Sequence, residues 1–227
     1  MTSIINLYGD QLVSTATGHG ADISTQRADD LDMMAVELIR STPGAPVVAL
    51  DVGCGHGGQA ARMAKAGAYV VAVDAVDYSA EVADSMVREG VRPGRFSFFR
   101  VPVESGTSFG SLFDVVVCQR MIHYLNHDAA QAFLHWLFRN TSSGGHLFLS
   151  ASGIDSELGE GYAGKNLPLP ERFAPLAQVM AEKHAIRPPV CLYRMGELAD
   201  AVSAAGWVVE NAFLSPFGNV KLVARKP

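Results

Sequence analysis

The sequence has no run of lysine or arginine, and its 18 basic residues are outnumbered by 23 acidic ones, leaving a formal charge of -5. Such a balance gives no electrostatic grip on a phosphate backbone, so nucleic acid is excluded as an expected partner. Long apolar runs are missing too. No segment approaches the roughly 18 consecutive apolar residues of a membrane helix, and Met1 to Asp10 carries no basic lead into an apolar stretch. No membrane partner is expected, and the location expected is cytoplasmic. Cysteine is scarce: Cys54, Cys118 and Cys191 are odd in number and far apart, with no Cys-x-x-Cys or Cys/His spacing. Neither a metal site nor a disulfide framework is expected, and the thiols should be free in a reducing compartment. Internal repeats and low-complexity tracts are absent, and the oligomeric state leaves no mark in the sequence.

What is present is a chain of 227 residues, 48% hydrophobic, enough for one sizeable core. A single domain over 1–227 is expected, with an N-terminal helical segment over 1–45 and an insertion over 152–190. From Gln26 to Arg40, Leu31, Met34, Ala35 and Leu38 fall at i, i+3, i+4 and i+7, which predicts an amphipathic helix ended by Pro43, Gly44 and Pro46. Short β-rich runs then alternate with helical patterns. The runs are Val47 to Val52, Tyr69 to Asp74, Phe96 to Val101, Phe113 to Gln119 and His146 to Ala151. Gly67 closes the first intervening helix, Ser79 caps and Gly90 stops the second, and Asp128 caps the third. That alternation predicts βαβ units. Near the end, Met195 to Ala205 reads as a helix closed by Gly206. Trp207 to Leu214 and Asn219 to Arg225 then read as a hairpin across Ser215-Pro216-Phe217-Gly218. The fold class predicted is α/β, a doubly wound, mostly parallel seven-stranded sheet with an antiparallel C-terminal hairpin strand and helices on both faces.

The run Val47 to Val52 leads straight into Gly53-Cys54-Gly55-His56-Gly57-Gly58, with a helix predicted near Gln59. Glycines let the backbone turn sharply and approach a ligand with no Cβ in the way. Gly53-x-Gly55-x-x-Gly58 fits the dinucleotide fingerprint literally, in which helix N-terminal amides hold a pyrophosphate. Asp74, at the carboxyl end of the next strand, is placed to accept ribose hydroxyls and suits any adenosine cofactor; Asp77 is the alternative.

The wider pattern Asp51-x-Gly53-x-Gly55-x-Gly57 resembles the motif that opens the cofactor site of class I, Rossmann-like S-adenosylmethionine-dependent methyltransferases. A carboxylate beside a sulfonium and an ammonium is favourable, whereas beside a pyrophosphate it repels. The block Phe113-Asp114 through Leu125, and the layout from Tyr193 to the closing hairpin, extend the likeness over about Val47 to Arg225. The resemblance implies S-adenosylmethionine as cofactor, held by Asp51, Gly53, Cys54, Gly55, Gly57, Asp74 and Ala75. It further implies Val103 or Glu104 at the adenine, and Gln119 and Arg120 near the methionine part. His123 stands where similar enzymes carry His, either as base for the acceptor's proton or as a locally packed residue. Tyr8, His123, Tyr124, Tyr162 and Tyr193 are substrate-wall candidates, and His19, Lys165, His184 and Arg187 lie in the same segments.

The function implied is methyl transfer to an oxygen or nitrogen of a small molecule. An Asn/Asp-Pro-Pro-aromatic tetrapeptide, of the kind that aligns exocyclic amines of DNA bases, is absent after Cys118. Two other readings stay open, a nicotinamide-dependent oxidoreductase and a catalytically silent cofactor-binding partner or sensor. The Gly- and Pro-rich stretch from Ser152 to Val190, with one predicted helix over Phe173 to His184, reads as a lid or as a structural excursion.

Overall fold

A computed structural model describes residues 3–5, 11–15, 17–102 and 106–227. A small antiparallel hairpin, β1 (Ser3–Ile5) with β2 (Gln11–Val13), precedes the first helix, α1 (Asp30–Ser41). The main body then runs β3 (Val48–Val52), α2 (Gly58–Ala66), β4 (Tyr69–Asp74), α3 (Ser79–Arg88), β5 (Phe96–Arg100), β6 (Phe113–Gln119), α4 (His127–Asn140) and β7 (Thr141–Ala151). After the insertion, which contains α5 (Gln178–His184), come α6 (Met195–Ala204), β8 (Val208–Leu214) and β9 (Val220–Arg225).

The seven-stranded sheet has the order β5-β4-β3-β6-β7-β9-β8, with β3, β4, β5, β6 and β7 parallel and β9 antiparallel to both its neighbours. The central strands β3, β4 and β6 read as nearly continuous apolar runs because both faces are covered. Side chains alternate between the faces. Ala49, Val115 and Val117 pack with Leu31, Ala35, Ala61 and Met63 under α1 to α3. Leu50, Val52, Val116 and Cys118 pack with Leu134, Leu137, Leu198 and Val202 under α4 and α6. The chain reverses direction across the sheet between β3 and β6, which leaves a crevice at the carboxyl ends of these strands, where doubly wound sheets bind ligands.

Several local expectations are corrected. The N-terminal segment is a strand pair followed by one helix; α1 starts four residues after Gln26 because Asp29 caps it, accepting from the Asp32 amide in a full capping box. Asn126, not Asp128, caps α4, its side chain accepting from the Ala129 amide at 2.9 Å. Tyr78 precedes α3 as its cap residue, with no side-chain bond. β7 begins at Thr141, with an irregular register against β6 between Phe113 and Val115. The predicted helix over Phe173 to His184 shrinks to α5, preceded by a bridge between Ala174 and Val190.

Candidate active site

The glycine loop is built by its own amides. Those of Gly53 and Cys54 donate to the Val73 carbonyl at 2.9 and 3.1 Å, that of Gly57 to the Cys54 carbonyl at 2.9 Å, and that of Gly55 to Asp74 Oδ2 at 3.0 Å. Gly53 and Gly57 adopt φ of 69° and 78°, in the left-handed region that a Cβ disfavours. Asp74 also accepts from the Val76 amide at 3.0 Å through Oδ1, so this acid orders the turn and keeps unused lone pairs at the mouth of the crevice. Ala75 beside it is exposed, whereas the Asp77 carboxylate is occupied by the start of α3, accepting from Ser79. Cys54 turns its thiol into the core at 4% exposure, and burial there raises the thiol's pKa; only its backbone belongs to the loop.

Asp51 lies beneath the turn, 4% exposed, and its Oδ2 is buried with no hydrogen-bond partner. Burial, reinforced by the nearby Asp32 carboxylate, pushes its pKa up to about 8. A buried acid so held is stabilised as its anion by a cation arriving above it.

Three segments converge on this crevice. Met121, after β6, meets Gly53, where a Cβ would come within 3.0 Å of its side chain. Residues 17–27 form a strap over the carboxyl edge. The strap backbone at Ser24 and Thr25 sits on the start of α2, so close that a Cβ on Gly58 would fall 2.2 Å from the Ser24 carbonyl oxygen. Asp22, which accepts from Ser24 and Thr25, faces Gly55. Farther back, His19 meets the Tyr124 ring edge-on at 4.7 Å and bridges to Ile186 of the insertion, and Arg187 donates its amide to Gly18 at 2.8 Å. The insertion has its own small core, with Ile154, Leu158, Leu176, Met180 and Val190 as members.

The other sequence-derived site residues distribute unevenly. Gln119 directs its side chain away from the crevice and under α1, donating to Asp29 and Asp32 and accepting from Ser150. Arg120, at the end of β6, has a left-handed backbone with φ of 53°, and its Nε is buried without a partner. Tyr124 is half-buried at the crevice wall. Tyr162 and Tyr193 are corrections, because both are buried in packing roles. The Tyr162 hydroxyl donates toward the Arg172 and Val190 carbonyls, and Tyr193 is 2% exposed in the main core. His123 is also deep, at 2% exposure, with Nδ1 facing the Ser152 amide at 3.4 Å. Burial, with Arg120 and His19 as further causes, lowers its pKa to about 3. A ring held neutral with that nitrogen occupied is poorly placed to collect a proton from an acceptor. Tyr8, Val103 and Glu104 lie outside the described residues.

Sequence reading missed two polar assemblies. Lys221 of β9, 5% exposed, pairs with Asp29 and Asp30 and so ties α1 to the last strand. Arg172, 1% exposed, forms a two-pronged pair with Glu197 at 2.5 and 2.7 Å and donates to the Leu167 and Leu192 carbonyls. Glu197 also accepts from the Arg194 amide at the start of α6 at 2.8 Å, but nothing local pointed to Arg172.

The geometry distinguishes the cofactor classes. A pyrophosphate needs free amides at the glycine turn and the helix N-terminus. Here the amides of Gly53, Cys54, Gly55 and Gly57 are already committed, and strap backbone covers the start of α2. The unpartnered Asp51 oxygen and the Asp74 carboxylate instead fit a ligand that brings a cation and a ribose.

Comparison with known proteins agrees. A family model described as a methyltransferase domain matches residues 49–145. The mitochondrial ubiquinone biosynthesis O-methyltransferase of Schizosaccharomyces pombe is 35% identical over 102 residues, 44% of this chain and 36% of the relative. The chain thus spans about a third of that relative's length. Magnesium protoporphyrin IX methyltransferase from Synechocystis PCC 6803, solved with S-adenosylhomocysteine, superimposes with a TM-score of 0.64 at 16% identity, over 97% of this chain and 90% of its own. The 1,6-didemethyltoxoflavin-N1-methyltransferase of Burkholderia thailandensis gives 0.62 at 23% identity, over 87% and 78%. A [4+2]-cyclase, SpnF, gives 0.63 at 17% identity, over 89% and 82%, so this fold also houses other chemistry.

Proposed function

We propose that this chain, which carries the methyltransferase domain of the class I S-adenosylmethionine-dependent superfamily, transfers a methyl group from that cofactor to an oxygen or nitrogen of a small organic molecule. The observation that carries the reading is the glycine turn, with committed amides above and, beneath, Asp51, whose buried Oδ2 has no partner and whose pKa burial raises to about 8. That arrangement suits a sulfonium and ammonium ligand and leaves no cradle for a nicotinamide cofactor's pyrophosphate.

When bound, S-adenosylmethionine supplies a methyl group already activated by positive sulfur, so the protein's task is alignment and exclusion of water. Asp74 would hold the ribose hydroxyls, with Ala75 beside it. Gly53 and Gly55 let backbone approach the amino-acid portion, and Asp51 balances its charge. Arg120, with its buried unpartnered Nε, would offer a donor to an anionic group, either of the cofactor or of the acceptor. Tyr124 and Met121 would line the acceptor side. The strap and the insertion meet through the His19–Ile186 bridge and the Arg187–Gly18 bond, which supports their acting as one cover. A covered crevice suits a small acceptor, as does the lack of any run of lysine or arginine in the sequence. Two of the similar structures named above are methyltransferases of 1,6-didemethyltoxoflavin and of magnesium protoporphyrin IX. Among the described residues no helix is long and apolar enough to cross a membrane.

Isothermal titration with S-adenosylhomocysteine, S-adenosylmethionine and NADH tests the reading. Micromolar binding of the first two, weakened tenfold or more by Asp74→Ala, about 1.4 kcal/mol, is the expected result. Selective binding of NADH would overturn it.

A further inference from the structure

Resting on the methyltransferase reading, we propose that His19, carried by the strap, is the general base that takes the proton from an acceptor hydroxyl, the part for which His123 is unsuited. Of the two histidines flanking Tyr124, His123 is buried behind it and His19 is exposed on its crevice side. The His19 amide bonds Thr15 Oγ1 at 2.9 Å and its Nδ1 bonds Thr17 Oγ1 at 2.9 Å, which fixes the ring from within the strap. With Nδ1 donating to that hydroxyl, Nε2 presents its lone pair. Oriented by one nitrogen and, among the described residues, without a partner at the other, the ring meets the geometric requirement for a base.

Its surroundings keep it neutral and available. Partial burial lowers its pKa, opposed by the Asp74 carboxylate across the crevice. The other titratable or charged neighbours are Tyr124 and His123 after β6, and His184 and Arg187 on the insertion, whose backbone and side chain pack against Gly20 and Gly18. In the step, the acceptor O–H bond breaks and Nε2 takes the proton. The electron pair left on oxygen forms the O–CH3 bond, while the departing thioether keeps the S–C pair. The imidazolium then returns its proton to solvent, to which His19 is open.

The test uses catechol and 4-nitrocatechol as acceptors, with S-adenosylmethionine as donor, in wild type and His19→Ala. The nitro group makes its phenol the stronger acid, so that acceptor arrives already ionised and has little use for a base. Expected are unchanged S-adenosylhomocysteine affinity and a loss of kcat/KM of about 100-fold or more on catechol, within the range for removal of a general base. The loss on 4-nitrocatechol is expected to stay within a few-fold, and the acid limb of the wild-type pH profile on catechol disappears in the variant. Equal losses on both acceptors, or none on catechol, overturn the base assignment while retained S-adenosylhomocysteine binding leaves the methyltransferase reading standing. Wild type that binds S-adenosylhomocysteine yet methylates neither phenol also overturns an acceptor hydroxyl served by His19. Failure to bind S-adenosylhomocysteine overturns the underlying reading instead.

Discussion

The glycine-turn half, β3 through β4, and the cover formed by the strap and the insertion face each other across one crevice, and they are held together differently. In the first, neighbours in sequence are neighbours in space. β3 pairs with β4 in unbroken parallel register from Val48↔Tyr69 to Val52↔Val73, and the turn between strand and helix is closed by its own amides and Asp74. The cover has a small apolar cluster of its own and otherwise relies on side chains reaching distant backbone: Arg172 to Leu192, Tyr162 to Val190, Arg62 to Ser24. A large continuous core makes a rigid floor, whereas a small core with polar ties is the low-stability element from which lids are drawn.

Removing the strongest tie gives the largest effect. Arg172→Ala takes away a buried guanidinium that satisfies Glu197 and two backbone carbonyls. Truncating one member of a buried pair costs about 3–5 kcal/mol, and the partial exposure of Glu197, 26%, places this case near the lower end. Urea unfolding followed by tryptophan fluorescence, with limited proteolysis between Gly159 and Pro170, measures it. The expected outcome is early nicking of the insertion while S-adenosylhomocysteine affinity falls only a few-fold. Simultaneous loss of everything would show that cover and floor are one cooperative unit. Acid adds a second handle. Glu197 is opposed by burial, yet Arg172 and the Arg194 amide hold its pKa down to about 2, below its ordinary value of 4.5. Its contribution is therefore present above 4.5 and is lost as pH falls toward 2, and Glu197→Gln flattens that dependence.

Gly58 is where the two regions touch most closely. An alanine Cβ would stand 2.2 Å from the Ser24 carbonyl oxygen, and a backbone atom cannot swing aside as a side-chain tip does. Overpacking of this kind costs about 1–3 kcal/mol, and the strap is the part expected to give way. Gly58→Ala should expose residues 17–27 to protease and weaken S-adenosylhomocysteine binding. Gly196→Ala is the control, since among the described residues nothing outside its own helix backbone lies within 4 Å of its Cβ position in α6. There the same substitution is expected to stabilise by about 0.4–1 kcal/mol. Equal behaviour of the two variants in proteolysis would refute the tight strap contact.

The same division explains what was legible in the sequence. The seven strands of the sheet, the glycine turn and the strand-end Asp74 rest on local patterns, namely apolar runs, glycine punctuation and an acid at a strand's carboxyl end, and these survive into the structure. Partners far apart in sequence leave no such trace. Lys221 bonds Asp29 across 192 positions, and Gln119 turns away from the crevice because Asp29 and Asp32, about 90 residues earlier, receive its amide. The short strands Ser3–Ile5 and Gln11–Val13 are too brief for periodicity to register. His123 shows the limit at a single position: its place after the fourth strand of the βαβ series was visible, but its burial was not, since depth depends on Cys191 and Ser152 arriving from the far side.

The smallest signal, one proton, sharpens the account of the floor. Burial and Asp32 raise the Asp51 pKa to about 8 from an ordinary 3.8. A raised acid contributes stability that is fully present below 3.8 and is lost as pH rises through about 8, so the ligand-free protein is expected to weaken across that window. Asp51→Asn removes the slope. A cationic ligand reverses the sign of the local field and favours the carboxylate, so binding of S-adenosylmethionine at pH 7 is expected to release up to one proton. Titrations in phosphate and in Tris, whose ionisation enthalpies differ, then give different apparent binding enthalpies in wild type and equal ones in Asp51→Asn. Equal enthalpies in wild type would mean that the ligand's charge does not reach Asp51, and the electrostatic reason for an acid beneath the glycine turn would have to be sought in Arg62 and the fold alone.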